Sequence, residues 1–143
     1  IVLRFFNVYG PNQNDAYAGV ITKFLSCICE NKHLVIFGDG KSTRDFIHID
    51  DILDAIYLAI EHIDSKRGKI YNIGTGKSVT IKQLANLMNT LSEKKLPIIY
   101  KDSRDGDILH SQTSIDLAMD ELDFSPKISL EIGLKKLIQF FKN

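Results

Sequence analysis

An α/β fold with mainly parallel strands and flanking helices is what this sequence predicts, and three observations predict it. Short apolar or alternating runs take turns along the chain with longer stretches of helical periodicity. The strand-like runs close in turns rich in glycine or proline: Gly10-Pro11, Gly38-Asp39-Gly40 and Gly74-Thr75-Gly76. The helical stretches open at Asp, Thr or Ser residues able to cap them.

The elements follow in order. Ile1 to Phe6 reads as a strand, and Asn7-Val8-Tyr9-Gly10-Pro11 as the loop that ends it. The apolar run opens at residue 1 with no turn or cap before it, the pattern of an interior strand with neighbours on both sides. The expectation is therefore a single partial domain over 1–143, the tail of a longer protein. A polar stretch, Asn12 to Tyr17, leads into a helix from Val20 to Cys29, with Val20, Ile21, Phe24, Leu25 and Ile28 on one face. Leu34 to Phe37 and Asp45 to Ile49 read as short strands. Asp50 is placed to cap a helix whose stripe is Ile52, Ala55, Ile56, Ala59, Ile60 and Ile63. Lys69 to Ile73 is a strand. Thr80 and Gln83 form a capping box for a helix carrying Leu84, Leu87, Met88 and Leu91. Pro97 to Tyr100 is a strand, Thr113 with Asp116 suggests a second capping box, and Ser129 caps a last helix through Phe141.

Composition narrows the function. The chain has 143 residues, 44% hydrophobic, which suits one core, and its formal net charge is zero. No Lys/Arg run exceeds two residues, so neither a nucleic-acid nor a membrane-surface partner is expected. No apolar run is long enough to span a bilayer, and no signal peptide is expected. Cys27 and Cys29 lie about 200° apart on a helix and read as packing thiols of a reducing cytoplasm. His33, His48, His62 and His110 lack metal-ligand spacing, and Asp50-Asp51 is a helix start.

Gly76-Lys77-Ser78 invites a phosphate-binding P-loop, but the position that must be glycine is Tyr71, and Val79 intervenes before the helix. Neither Gly38-x-Gly40 nor Gly74-x-Gly76 continues to a third glycine, since Thr43 and Val79 stand there, so the dinucleotide fingerprint is lacking. Arg44 lies between a glycine-rich turn and an apolar strand. Its planar fork suits a diphosphate, while a local contact with Asp45 or a helix cap is the structural alternative. Arg104 sits in Arg104-Asp105-Gly106-Asp107, a solvated turn or a second cation. Asn7 and Asn72 fall at strand ends, where ligands bind in open α/β sheets.

Four ordered motifs make the chain resemble the C-terminal half of the extended short-chain dehydrogenase/reductases. They are Leu3-Arg4-Phe5-Phe6-Asn7-Val8-Tyr9-Gly10-Pro11; Leu34-Val35-Ile36-Phe37-Gly38-Asp39-Gly40 with Thr43-Arg44-Asp45-Phe46-Ile47-His48-Ile49-Asp50-Asp51; Ile70-Tyr71-Asn72-Ile73-Gly74-Thr75-Gly76; and Arg104-Asp105-Gly106-Asp107-Ile108. The tail from Leu122 to Leu134 is similar too. That family includes UDP-glucose 4-epimerase and dTDP-glucose 4,6-dehydratase. The resemblance implies a Rossmann-like fold and a nucleotide-diphosphate-sugar ligand, with UDP favoured. It implies that Asn7 contacts the diphosphate, that Gly19 and Val20 meet the nucleotide, and that Val35 and Phe37 flank the base. Arg44 and Arg104 would bind phosphate oxygens, and Asn72 would reach toward the nucleotide. Ala18-Gly19-Val20-Ile21 with Phe24, and the Leu34-Val35-Ile36-Phe37 strand, favour an epimerase over a dehydratase, which shares all four motifs; a non-catalytic nucleotide-sugar-binding module is the alternative of another class.

The same family uses NAD, bound by an N-terminal half, and a Tyr-x-x-x-Lys pair. Four residues after Tyr9, Tyr17, Tyr57, Tyr71 and Tyr100 stand Gln13, Ile21, Glu61, Thr75 and Arg104, none of them lysine. The resemblance thus implies no catalytic, cofactor-binding or metal-binding residue in this chain, NAD held mainly by the half not given, and a homodimeric parent.

Overall fold

The computed structural model describes residues 1–13 and 19–142. Ala18 and most of the polar Asn12–Tyr17 stretch lie outside the described residues. The elements are β1 (Val2–Phe5), β2 (Asn7–Tyr9), α1 (Val20–Cys29), β3 (Leu34–Phe37), β4 (Thr43–Arg44), β5 (Phe46–His48) and α2 (Ile49–Glu61). They continue with β6 (Ile70–Ile73), β7 (Val79–Thr80), α3 (Ile81–Leu91), β8 (Ile98–Lys101), β9 (His110–Ser111), α4 (Asp116–Leu122) and α5 (Leu130–Lys142).

Parallel ladders join β1 to β6, β2 to β5, β3 to β8 and β4 to β9, and one antiparallel ladder joins β4 to β7. The α/β, mainly parallel expectation therefore holds. Among the described residues β1 has β6 as its one ladder partner. Val2 and Phe5 on β1 are exposed.

The short β2–β5 ladder divides the core. Side chains alternate across a strand, so Tyr9 and Phe46 face one apolar cluster while Val8 and Ile47 face another. The first cluster gathers α1, β3, α3 and α5 through Phe24, Leu25, Ile36, Leu84, Met88 and Leu134. The second gathers α2, β6 and α4 through Ile52, Tyr71, Ile73, Leu122 and Phe124.

Several elements depart from the sequence reading. Asn7-Val8-Tyr9 is a strand and not a loop, because its backbone pairs with Phe46–His48. The expected Asp45–Ile49 strand is split: Asp45 breaks away from the ladder, and Ile49 already belongs to α2. The cap of α2 is His48, whose Nδ1 accepts the Asp50 N–H, so Asp50 sits in the first turn instead. The α2 stripe runs out early, since Ile60 and Ile63 are exposed. The Thr80–Gln83 capping box forms as expected. The second does not: α4 is preceded by Ile115, and Thr113 donates its hydroxyl to the Ser114 carbonyl. Ser129 does accept the Ile132 N–H at the start of α5. Cys29 is exposed and does not pack, while Cys27 is half-buried, and both thiols are free.

The second cluster carries a pH-sensitive contact. The buried Tyr71 donates its hydroxyl to Glu121 Oε2 at 2.6 Å, and Lys69 donates to Oε1. Desolvation, then the bond to Glu121, pushes the Tyr71 hydroxyl up to about 12 from 10.0. The folded chain therefore holds the phenol proton more tightly than the unfolded chain. This contribution to stability is whole below pH 10 and is lost as pH rises to about 12. Thermal melts between pH 9 and 12 should fall more steeply for the wild type than for Tyr71→Phe. Parallel slopes would show that Tyr71 is not the titrating group.

Candidate functional site

β3 alternates between core and surface. Leu34 and Ile36 are buried, while Val35 and Phe37 are half-buried along one wall of a cavity of about 400 Å³. The start of α1 forms a second wall with Gly19, Val20, Lys23 and Phe24. Asn7 and Tyr9 of β2, Arg44 of β4, and Phe46 complete the floor, and Arg104 and Asp107 stand at the rim. Of the residues singled out in the sequence, the fold brings together Asn7, Gly19, Val20, Val35, Phe37, Arg44 and Arg104. Asn72 lies on β6 opposite Arg4 and does not line this cavity.

Arg44 is held on three sides. Its Nη1 donates to the carbonyls of Thr43 at 2.9 Å and Ile108 at 2.6 Å, and its Nη2 pairs with Asp107 Oδ1 at 2.8 Å. The local partner is thus Asp107 and not the adjacent Asp45. Asp45 is fully buried and turned the other way, accepting the Thr75 N–H, the Thr75 hydroxyl and the Gly76 N–H at 2.6–3.0 Å. That carboxylate ties the Gly74-Thr75-Gly76 turn to the β4–β5 junction. Gly74 is required there, because a Cβ would lie 2.7 Å from Thr113 Cγ2 and 2.9 Å from Asp45 Oδ2.

Asn7 reaches the same junction. Its amide nitrogen donates to the Asp45 carbonyl at 2.9 Å and to Ser111 Oγ at 3.3 Å. Arg104 stacks over the Phe37 ring, its guanidinium carbon 3.7 Å from the centroid. The turn that carries Arg104 closes through Gly106 at φ +78° and an Asp107 N–H to Arg104 carbonyl bond.

The cavity is electropositive. Lys23, Arg44 and Arg104 line it against Asp107. The N-terminus of α1 also opens here, with no acidic residue in its first turn and, among the described residues, no side-chain cap. Such a helix end presents free N–H groups and partial positive charge to an anion. The sequence reading missed Lys23, although Val20, Lys23 and Phe24 stand at i, i+3 and i+4, one face of a helix. It also missed the contribution of Asp107, which depends on a partner 63 residues away.

Neither glycine pair is built for a dinucleotide. Gly40 leads into β4 and Gly76 into β7, so neither turn opens a helix onto a pyrophosphate. Among the described residues no cluster of three or more metal-ligating side chains occurs, and no helix is long and apolar enough to cross a membrane.

Residues 1–74 match the sequence profile of the NAD dependent epimerase/dehydratase family. The chain is 31% identical over 142 residues to the UDP-glucose 4-epimerase of Mycolicibacterium smegmatis, covering 96% of this chain and 44% of that protein. Its fold superposes on the UDP-glucose 4-epimerase of Thermotoga maritima, solved with UDP-glucose, with a TM-score of 0.92 and 37% identity, over 99% of this chain and 45% of that one. It also superposes on the UDP-glucuronic acid 4-epimerase of Bacillus cereus, solved with UDP-glucuronic acid and NAD, with a TM-score of 0.91 and 31% identity, over 99% and 45% of the two chains. The chain thus spans less than half the length of each of these proteins.

Proposed function

We propose that this chain, which belongs to the NAD dependent epimerase/dehydratase family, is the nucleotide-diphosphate-sugar-binding portion of a sugar-nucleotide 4-epimerase of the UDP-glucose/UDP-galactose type. The observation that carries the reading is the electropositive cavity between α1, β3 and β4. In it the base lies along Val35 and Phe37, both half-buried at the cavity wall. The diphosphate lies between Arg44, Arg104, Lys23 and the first turn of α1 at Gly19 and Val20. Cations and helix N–H groups aimed at one enclosed point attract a dianion more strongly than they would in open water. Asn7 braces the cavity floor through Asp45 and Ser111 and lines the cavity where it contacts the diphosphate. Asn72 contributes from β6, outside the cavity.

The family's cofactor is NAD. Neither glycine pair among the described residues opens a helix, and none of the chain's tyrosines has a lysine four positions on. No hydride or proton-transfer step is therefore assigned to its residues: the chain binds and orients the sugar nucleotide, and is inactive by itself. The whole enzyme works in the cytoplasm as a homodimer, in this reading. Epimerase is preferred to dehydratase on the helix-start residues Gly19, Val20, Ile21 and Phe24, which pack at the cavity wall.

Calorimetric titration of the chain with UDP, UDP-glucose and NAD tests this directly. UDP and UDP-glucose should bind in competition with one another, NAD should give no heat, and no UDP-galactose should form. A folded chain that ignores UDP would overturn the binding role, and turnover would overturn the inactivity.

A further inference from the structure

The rim loop 103–109 is solvent-exposed along its whole length, yet both ends are fastened to cavity residues. Arg104 lies on Phe37, and Asp107 with the Ile108 carbonyl grips Arg44. Asp107 is out of place in an anion site: it lines the cavity, and its charge opposes a diphosphate. What it does to Arg44 explains its presence. A guanidinium has five N–H donors. The carbonyls of Thr43 and Ile108 take Nη1, and Asp107 takes one donor of Nη2. The remaining donors lie on Nε and Nη2, adjacent nitrogens that form one edge of the fork. The Arg44 side chain is only 15% exposed and lines the cavity.

We propose that Asp107 is the positioning residue of the diphosphate site: it orients Arg44 so that the free edge of the guanidinium faces the cavity, and this preorganisation outweighs its own repulsion of the ligand. The inference rests on the reading of Arg44 as a phosphate ligand. Binding is strengthened when the ordering of a long side chain is complete before the ligand arrives. An exposed ion pair that merely staples a loop contributes little. The two accounts differ in sign. A bystander carboxylate, once removed, leaves the site more positive and UDP binding tighter. A positioning carboxylate, once removed, leaves Arg44 free to turn and UDP binding weaker.

The experiment is a double-mutant cycle in the full chain, with UDP and uridine as the two probes, read by calorimetry and by NMR titration. Asp107→Ala should weaken UDP binding roughly fivefold to twentyfold, and Asp107→Glu should recover part of the loss. Uridine, which has no phosphate, should bind as in the wild type. Loss of uridine affinity would mean that Asp107 holds the loop or touches the nucleoside, and would overturn the positioning role. In an Arg44→Ala background, Asp107→Ala should cause no further loss, because there is no guanidinium left to orient. Tighter or unchanged UDP binding by folded Asp107→Ala, with Arg44→Ala weak, would overturn the inference and leave the phosphate role of Arg44 standing. Wild-type UDP affinity in folded Arg44→Ala would overturn both.

Discussion

Arg44→Ala, in a chain that stays folded, is expected to lower UDP affinity by about ten- to a hundredfold. Each charge-assisted hydrogen bond from a guanidinium contributes roughly 1.5–3 kcal/mol, and about 1.4 kcal/mol is a decade in affinity. Among the described residues, three acceptors occupy three of the five donors of Arg44, which leaves two to meet the phosphates in the proposed site. The substitution removes those donors and also strips Asp107 of its partner, leaving a carboxylate without that ion pair at the rim of the proposed diphosphate site. Arg44→Lys restores a charge without the fork and should recover only part of the loss. The competing account makes Arg44 a brace that joins β4 to the rim loop. It expects a lower melting temperature with UDP affinity intact. Titrating UDP into both variants and melting them side by side separates the two, and wild-type UDP affinity in folded Arg44→Ala removes Arg44 from the site.

The parts of the architecture visible in the sequence are those fixed by local rules. Helix α1 follows from the spacing of Ile21, Phe24, Leu25 and Ile28, all buried. The start of α3 follows from the Thr80–Gln83 box, in which both reciprocal bonds form. Strand β3 follows from four apolar residues before a glycine turn. What local rules do not reach is pairing. β2 reads as turn sequence because Asn7 and Gly10-Pro11 surround it, and only the distant Phe46–His48 backbone makes it a strand. β4, β7 and β9 are two residues long each, too short for periodicity, and exist because they find one another. The same distinction governs the cavity. Val35, Phe37, Arg44 and Arg104 were recognisable as parts of ordered motifs, whereas the grip of Asp107 on Arg44 and of Asp45 on Thr75 spans tens of residues. His48 shows the limit in miniature. An acidic residue is the expected cap for α2, but the histidine two residues earlier in the chain is buried and takes the role through Nδ1.

Asp45→Ala should be the most destabilising single change near the site, costing about 2–5 kcal/mol, because it strands two backbone donors at roughly 1–3 kcal/mol each. Asp45 has no exposed surface and accepts three hydrogen bonds, from the Thr75 N–H, the Thr75 hydroxyl and the Gly76 N–H. Alanine leaves two buried-side backbone donors without an acceptor at the point where β6 hands the chain to β7. Asparagine is no remedy. Its amide nitrogen would face the Gly76 N–H or the Thr75 N–H, donor against donor, so Asp45→Asn should lose nearly as much. Thr75→Val removes the hydroxyl, with its bond to Asp45 and the exposed Lys77 N–H bond it accepts, and leaves both backbone bonds to the carboxylate, so a loss of about 1–2 kcal/mol is expected. The ordering matters more than any one value. Urea unfolding monitored by circular dichroism should give midpoints falling from wild type to Thr75→Val to Asp45→Asn and Asp45→Ala. If the alanine variant unfolds before it can be measured, Thr75→Val still reports on the same cluster. An Asp45→Ala chain with a wild-type midpoint would mean that the Gly74-Thr75-Gly76 turn is held by packing against Thr113 alone, and that the carboxylate is dispensable to the wall on which Arg44 stands.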